Sequence, residues 1–484
     1  MKKYILLLTA FAAVGITSCR KIEMDGEKEY IIVHDGGSNT GKTVQLSGRI
    51  TRDTTLLSAD ENILKGLVYI TNGVTLTIEK GATVKGSYSG SDVATLIVAR
   101  GGKIVAKGTA EAPIIFTSSS PNPQSGDWGG IVLCGKAAIN ASFLGTTGLY
   151  QVEGGVDNGS GDGLAGSGDA VAPTPVNDDS TGVLSYVRIQ YAGYAFQPDK
   201  EINSLTLAAV GSRTVIDHIQ VAYAKDDAFE WFGGTVNCKY LIAYKTQDDD
   251  FDTDNGYSGN VQFGIILRDS VIADISKSES FESDNNATGS TVTPKTSAIF
   301  SNITVVGPRA TLNNIGNSLF LAGAQIRRNS ALSIFNSVFI GWPIGILIDA
   351  GLGSPTDLNI DDSTLRIRYT TIAGCNTPLK YTASGSSPTG KDDAAITAWF
   401  TTAAFGNTIV TNTTDAKLIQ PFNYSAPDPT PFAGANGYAP IVSGANFTDP
   451  KLVAHSDFFT TVAFRGGIAP AGIESSWWKG WTKF

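Results

Sequence analysis

Short apolar runs, alternating residue by residue and closed by glycine, asparagine or proline, recur along most of the chain. Their period is that of strands rather than helices. Between 44 and 140 the runs include 66–70 (GLVYI), 74–79 (VTLTIE), 94–98 (ATLIV), 103–106 (KIVA) and 113–117 (PIIFT), and 126–133 (GDWGGIVL) continues the series. From 183 to 374 they align on two apolar anchors four residues apart: Val183/Val187, Val215/Ile219, Leu267/Val271, Ile299/Ile303, Ile334/Val338 and Ile367/Thr371, with Asn237/Leu241 as the imperfect member. The anchors repeat at steps of 22 to 35 residues. Such a period predicts a solenoid whose coils bury one another's apolar faces.

Inside that series one phrase is written three times. It reads Asp227-Ala-Phe229-Glu230, then Asp249-Asp-Phe251-Asp252, then Glu279-Ser-Phe281-Glu282. On successive coils, equivalent residues lie about 4.8 Å apart. The three Phe rings then stack inside, and Glu230, Asp252 and Glu282 form a column outside, because strand side chains alternate. A column of carboxylates needs a cation, a raised pKa or a cationic partner. Two readings of it stand. One is a solvated acidic face; the other is a calcium site in which Asp227, Asp249 and Glu279 complete the oxygen shell.

Residues 153–182 break the pattern with a Gly- and Asp-rich loop, which predicts a mobile flap. Residues 392–405 predict one amphipathic helix with an Asp cap. The aromatic end of the chain, with Trp477, Trp478 and Trp481, predicts a lid over the last coil.

The N-terminus changes the picture of where the protein works. Met1-Lys2-Lys3, an apolar run from Tyr4 to Ile16 and Thr17-Ser18-Cys19 make a secretory leader too short to span a membrane. Ile16-Thr17-Ser18-Cys19 resembles the bacterial lipobox, which implies acylation of Cys19. The reading divides the chain into a signal peptide (1–18), a lipid-anchored tether (19–43), a β-helix (44–388) and a helical and capping region (389–484). Loss of the leader removes Lys2 and Lys3 and moves the formal charge from −9 to −11. That surface excludes nucleic acid as a partner. Cys134, Cys238 and Cys375 show no metal-binding spacing and read as small core residues.

The lipobox, the opening strands, 229–237 (FEWFGGTVN), 326–330 (IRRNS) and the closing WWKGWT together resemble one family. Its members are right-handed parallel β-helix lipoproteins of Gram-negative outer membranes. The resemblance covers nearly the whole chain and implies an all-β, single-stranded, pectin-lyase-like solenoid with one short helix and an aromatic C-terminal cap. It implies little about activity.

Two further resemblances concern chemistry. Asp226-Asp227 followed by Asp248-Asp249-Asp250 is similar to the paired acids of polygalacturonase-type glycosidases. The chain departs from them in having no Gly-His-Gly, its histidines being His34, His218 and His455, and no later Arg-Ile-Lys. Pectate-lyase-like proteins hold calcium with stacked acids; that resemblance implies Glu230, Asp252 and Glu282 as ligands and offers Arg268 or Arg327 as a base. The expected role is that of a cell-envelope lipoprotein anchored in the outer membrane and binding glycan or another envelope component. Asp226, Asp248, Asp250, Trp231, Arg327 and Arg328 are the candidate contacts. The rival expectations are a lyase or glycoside hydrolase acting on acidic polysaccharide, and a structural accessory of an outer-membrane protein complex.

Overall fold

A computed structural model describes residues 29–34, 41–197, 200–385 and 388–484. Cys19, the leader and most of the tether lie outside the described residues. Most strands from Thr43–Ile50 to Thr408–Val410 join in parallel into one right-handed β-helix, and three small antiparallel pairs lie outside it. Each coil has three strand faces. The first carries Gly130–Cys134, Leu205–Ala208, Phe229–Phe232, Phe251–Asp254, Phe281–Ser283, Phe320–Ile326, Ile344–Ala350 and Thr377–Ala383 in that order.

The other two faces are halves of one longer strand bent at its middle, as in Gly182–Gln190, Val215–Ala222, Asn237–Tyr244, Asn260–Leu267 and Ile299–Val306. The bend residues are Tyr186, His218, Tyr240, Phe263 and Asn302, all left-handed with φ of 50, 50, 59, 64 and 60°. A left-handed residue interrupts the alternation of faces. The inward side chains are therefore Leu184, Val187 and Ile189 on one coil and Ile216, Ile219 and Val221 on the next.

This bend explains where the sequence alignment slips. Asn260 and Gly264, not Leu267 and Val271, lie opposite Ile299 and Ile303. The inward place is held by a glycine because a Cβ there would sit 2.9 Å from Ile303 Cδ1, and apolar matching slid past it to Leu267. Ile334 pairs with Phe300 rather than Ile299, a shift of one residue. There the place of Ile303 is taken by Ser337, whose Oγ accepts from the Ile303 amide at 3.1 Å.

The solenoid's C-terminal end is closed by the helix Asp393–Phe400, whose Ile396 and Phe400 enter the core. Asp392 caps it, accepting from the Ala395 amide at 2.8 Å. The predicted helix to 405 stops at Phe400 and resumes as the 3-10 turn Ala403–Phe405.

The aromatic tail does not lie over the last coil; it runs back along the bent strands as a lateral cap. Tyr186, His218, Tyr240 and Phe263 stack face to face, with successive centroids 4.2, 4.4 and 5.1 Å apart. Trp477 and Trp481 stand edge-on against His218 at 6.1 and 6.0 Å. Side-chain amides fasten the tail in both directions. Gln262 donates to Thr460 O and accepts from its amide, Asn336 does the same with Asn446, and Gln220 with Lys483.

The loop 153–182 is docked rather than free. Val156 and Ala165 pack with Tyr69, Val132 and Phe232. Asp162 pairs with Arg49 at 2.6 Å, Asp169 with Arg100 at 2.6 Å and Asp179 with Lys136 at 3.5 Å. Cys134, Cys238 and Cys375 are buried free thiols in the core. Among the described residues no helix is long and apolar enough to cross a membrane.

Candidate functional site

The three acidic phrases fall in register on the first face. Phe229 stacks on Phe251 and Phe251 on Phe281, all fully buried, while Glu230 stacks on Asp252 and Asp252 on Glu282. The column begins after Thr206 and ends at Gln325, which face Glu230 and Glu282 on the flanking coils.

A second column stands in the turns just before these strands, and hydrogen bonds fix it. Asn203 Oδ1 accepts from the Asp227 amide at 3.2 Å. Asp227 Oδ1 accepts from the Asp249 amide at 2.8 Å, and Asp249 Oδ1 from the Glu279 amide at 2.6 Å. Asp227 and Asp249 thus each satisfy a backbone donor of the next coil with one oxygen, which holds the ladder straight.

The two columns converge. Among the described residues three triads place one oxygen from each member within 4.8 Å of the others: Asp227, Glu230 and Asp252; Asp249, Glu279 and Glu282; and Asp226, Asp227 and Asp248. The first two contain all six residues that the repeat nominates as ligands. Two oxygens bound to one calcium at 2.3–2.6 Å are at most about 5 Å apart, so the triads fit that ion. Asp252 Oδ1 is enclosed and has no hydrogen-bond partner, which a cation would satisfy.

The electrostatics carry the same message. Burial and neighbouring carboxylates push Asp226, Asp227, Glu230, Asp249, Asp252 and Glu282 well above the usual range. Asp248 is pushed up to about 7 and Asp254 to about 8, in each case by burial first and then by a nearby Asp. Positive charge enters at one edge. Arg327 contacts Glu282 through Nη2 and Asp284 Oδ1 through Nε at 2.9 Å, and Arg328 holds Asp284 at 2.7 Å.

Not every nominated residue lies on the outward side of this face. Trp231 is fully buried, stacked on Phe229 and Tyr257 with centroids 6.0 and 5.5 Å away, so it touches no ligand. Alternation from Phe229 puts it inside. Asp250 is also fully buried and paired with Arg268 at 2.8 Å. Arg268 in turn donates to the carbonyls of Thr246, Asp248 and Glu279, pinning the acid-bearing turns from within. That role rules it out as a base.

Sequence reasoning missed Asp254 and Asp284, although each lies two residues beyond a nominated acid and so on the same face. It also missed Tyr150 of the segment preceding the docked loop, whose ring lies 4.9 Å from that of Phe232 and whose hydroxyl is pushed up by burial and by Glu153, Glu230 and Asp254. No local pattern announces that contact.

A model of the pectate-lyase-like β-helix domain matches residues 48–418. The chain belongs to that family. Among solved structures it is similar to the periplasmic alginate epimerase AlgG, at 9% identity over 79% of this chain and 99% of that one, with a TM-score of 0.27. That likeness carries no argument about site or activity. No match is found among curated proteins.

Proposed function

We propose that the first face is a divalent-cation-dependent site for acidic polysaccharide, and that the protein is a lyase or hydrolase of such chains. The observation that carries this reading is the pair of carboxylate triads one coil apart, with arginine at their edge. Membership of the pectate-lyase-like family supports it. Asp227, Glu230 and Asp252 would hold one cation, and Asp249, Glu279 and Glu282 another. Held there, a divalent cation would supply the positive charge that attracts a sugar carboxylate and acidifies the C–H beside it.

Within the chain itself, Asp248 and Asp254 are the groups proposed to move a proton: without a cation, burial and then a neighbouring Asp push them up to about 7 and about 8. Ser276 Oγ lies 2.8 Å from Asp274 Oδ2 and 3.0 Å from Asp248 Oδ2, so its one proton is shared between the two acids. Arg327 is a poor base: burial opposes its charge, but Glu282 and Asp284 raise it further. An inverting hydrolase needs its carboxyls about 6.5–9.5 Å apart. Oxygens of Asp226 and Asp248 approach within 4.8 Å, which is too close for an inverting pair. Attachment through a lipid on Cys19 and residence at the outer membrane belong to the same proposal, resting on the lipobox.

The test is incubation of the full chain with pectate, alginate and a neutral glucan, in calcium or chelator. A lyase yields unsaturated, ultraviolet-absorbing ends in calcium, and a hydrolase yields new reducing ends without absorbance. Retention on the acidic polymers without products would reduce the role to binding. No interaction with either acidic polymer would overturn the proposal.

A further inference from the structure

Arg327 stands where the column of Asp254 and Asp284, beside the acidic ladder, would otherwise continue. Glu282 faces Gln325 and Ser283 faces Ile326 on the next coil, which sets Arg327 beside Asp284. Its guanidinium contacts both Glu282 and Asp284, while Arg328 takes the second oxygen of Asp284. The Arg327 and Glu282 side chains are 22% and 16% exposed, so the pair is partly open to solvent rather than sealed in the core. Arg268 contrasts with it, being 0% exposed and locked onto three carbonyls and Asp250. Of these two guanidiniums, Arg327 is the one placed to move.

Glu282 is therefore claimed twice, once by Arg327 and once by the triad it makes with Asp249 and Glu279. We propose that Arg327 is the ladder's internal counter-ion, exchanged at Glu282 for a divalent cation, and that the released guanidinium receives the carboxylate of an acidic sugar. This rests on the cation reading above and adds an order of events: cation first, acidic ligand second. The physical basis is direct. A carboxylate column without a cation needs a positive partner, and a planar guanidinium pairs with carboxylates in a two-pronged geometry. When the cation neutralises Glu282, the Nη2 end of the fork is freed, while Arg327 Nε and Arg328 still hold Asp284. Coupling of this kind is reciprocal, so the acidic ligand also tightens the cation.

The experiment is calorimetric titration of the full chain. Calcium chloride is titrated into wild type, Arg327→Gln and Arg327→Lys; trigalacturonate and neutral galactotriose follow, each with and without calcium. Arg327→Gln should bind calcium about tenfold more tightly, having lost a competing unit charge, whereas Arg327→Lys should stay near wild type. In saturating calcium, trigalacturonate should bind both variants about tenfold more weakly than wild type, with galactotriose unchanged among the three. Calcium affinity of Arg327→Gln equal to or below wild type would overturn the inference. So would trigalacturonate binding that ignores calcium in wild type. If Arg327→Gln does not fold, Arg327→Lys decides: unchanged trigalacturonate binding overturns the inference. Absence of calcium binding to wild type would overturn the cation reading itself, and is scored before any variant.

Discussion

Phe229 and Phe251 are register neighbours on adjacent coils, their ring centroids 5.5 Å apart and their planes 73° from parallel. Phe281 repeats the relationship with Phe251 at 5.4 Å and 85°. Edge-to-face contact lets three rings stack without like faces meeting. Because the acids follow these rings directly, the aromatic column sets the register of the carboxylate column.

Phe251→Ala removes the middle ring and should cost about 3–5 kcal/mol. Denaturant unfolding would measure the loss. The same variant should weaken calcium binding although Phe251 touches no ligand, since Asp252 follows it in the strand.

Breaking the pair beneath the ladder should be as severe. Arg268→Met leaves Asp250 without its cation in the core, at a cost of about 3–5 kcal/mol. The double variant Arg268→Met with Asp250→Leu should recover much of that loss, read from melting temperatures of the two proteins.

The ladder also fixes a pH dependence. Asp248 and Asp254 hold protons up to about 7 and 8, where an unfolded Asp has already lost its own near 3.9. Their contribution is therefore full at acid pH and is lost as pH rises through those values. In chelator, the melting temperature should fall between pH 5 and pH 8. Calcium should restore it more at pH 8 than at pH 5, because it replaces protons that have left. Parallel melting curves at the two pH values, with and without calcium, would exclude the effect.

Much of this was legible in the residues. The repeat in Phe229, Phe251 and Phe281 exposed coil, register and acid column together, because a side chain that recurs at coil spacing has to stack. What was illegible depended on contacts distant in sequence. Leu267 mimicked an anchor because the true inward position is Gly264, which has no side chain to count. Residues 153–182 looked unstructured because their partners, Arg49, Arg100 and Tyr69, lie far upstream. The tail looked like an end lid because nothing in it reveals the amides of Gln220, Gln262 and Asn336 that seat it on the side.

That seating is testable as well. Trp481 is 1% exposed and its ring stands 5.6 Å from Tyr186. Trp481→Ala should cost about 3–5 kcal/mol and expose 446–484 to limited proteolysis before the coils unfold. Simultaneous loss of tail and coils would mean that the tail is part of one cooperative unit.

Cys19→Ala tests the anchor. The variant should appear in the soluble fraction, and sedimentation with membranes after a carbonate wash would rule the lipid out.

The central claim is that the two triads hold divalent cations, and anomalous scattering from crystals grown with terbium in place of calcium tests it most directly. The account predicts one peak bounded by Asp227, Glu230 and Asp252 and another by Asp249, Glu279 and Glu282, the first lost in Asp252→Asn. Crystals of the wild-type protein with no terbium peak against either triad would contradict it.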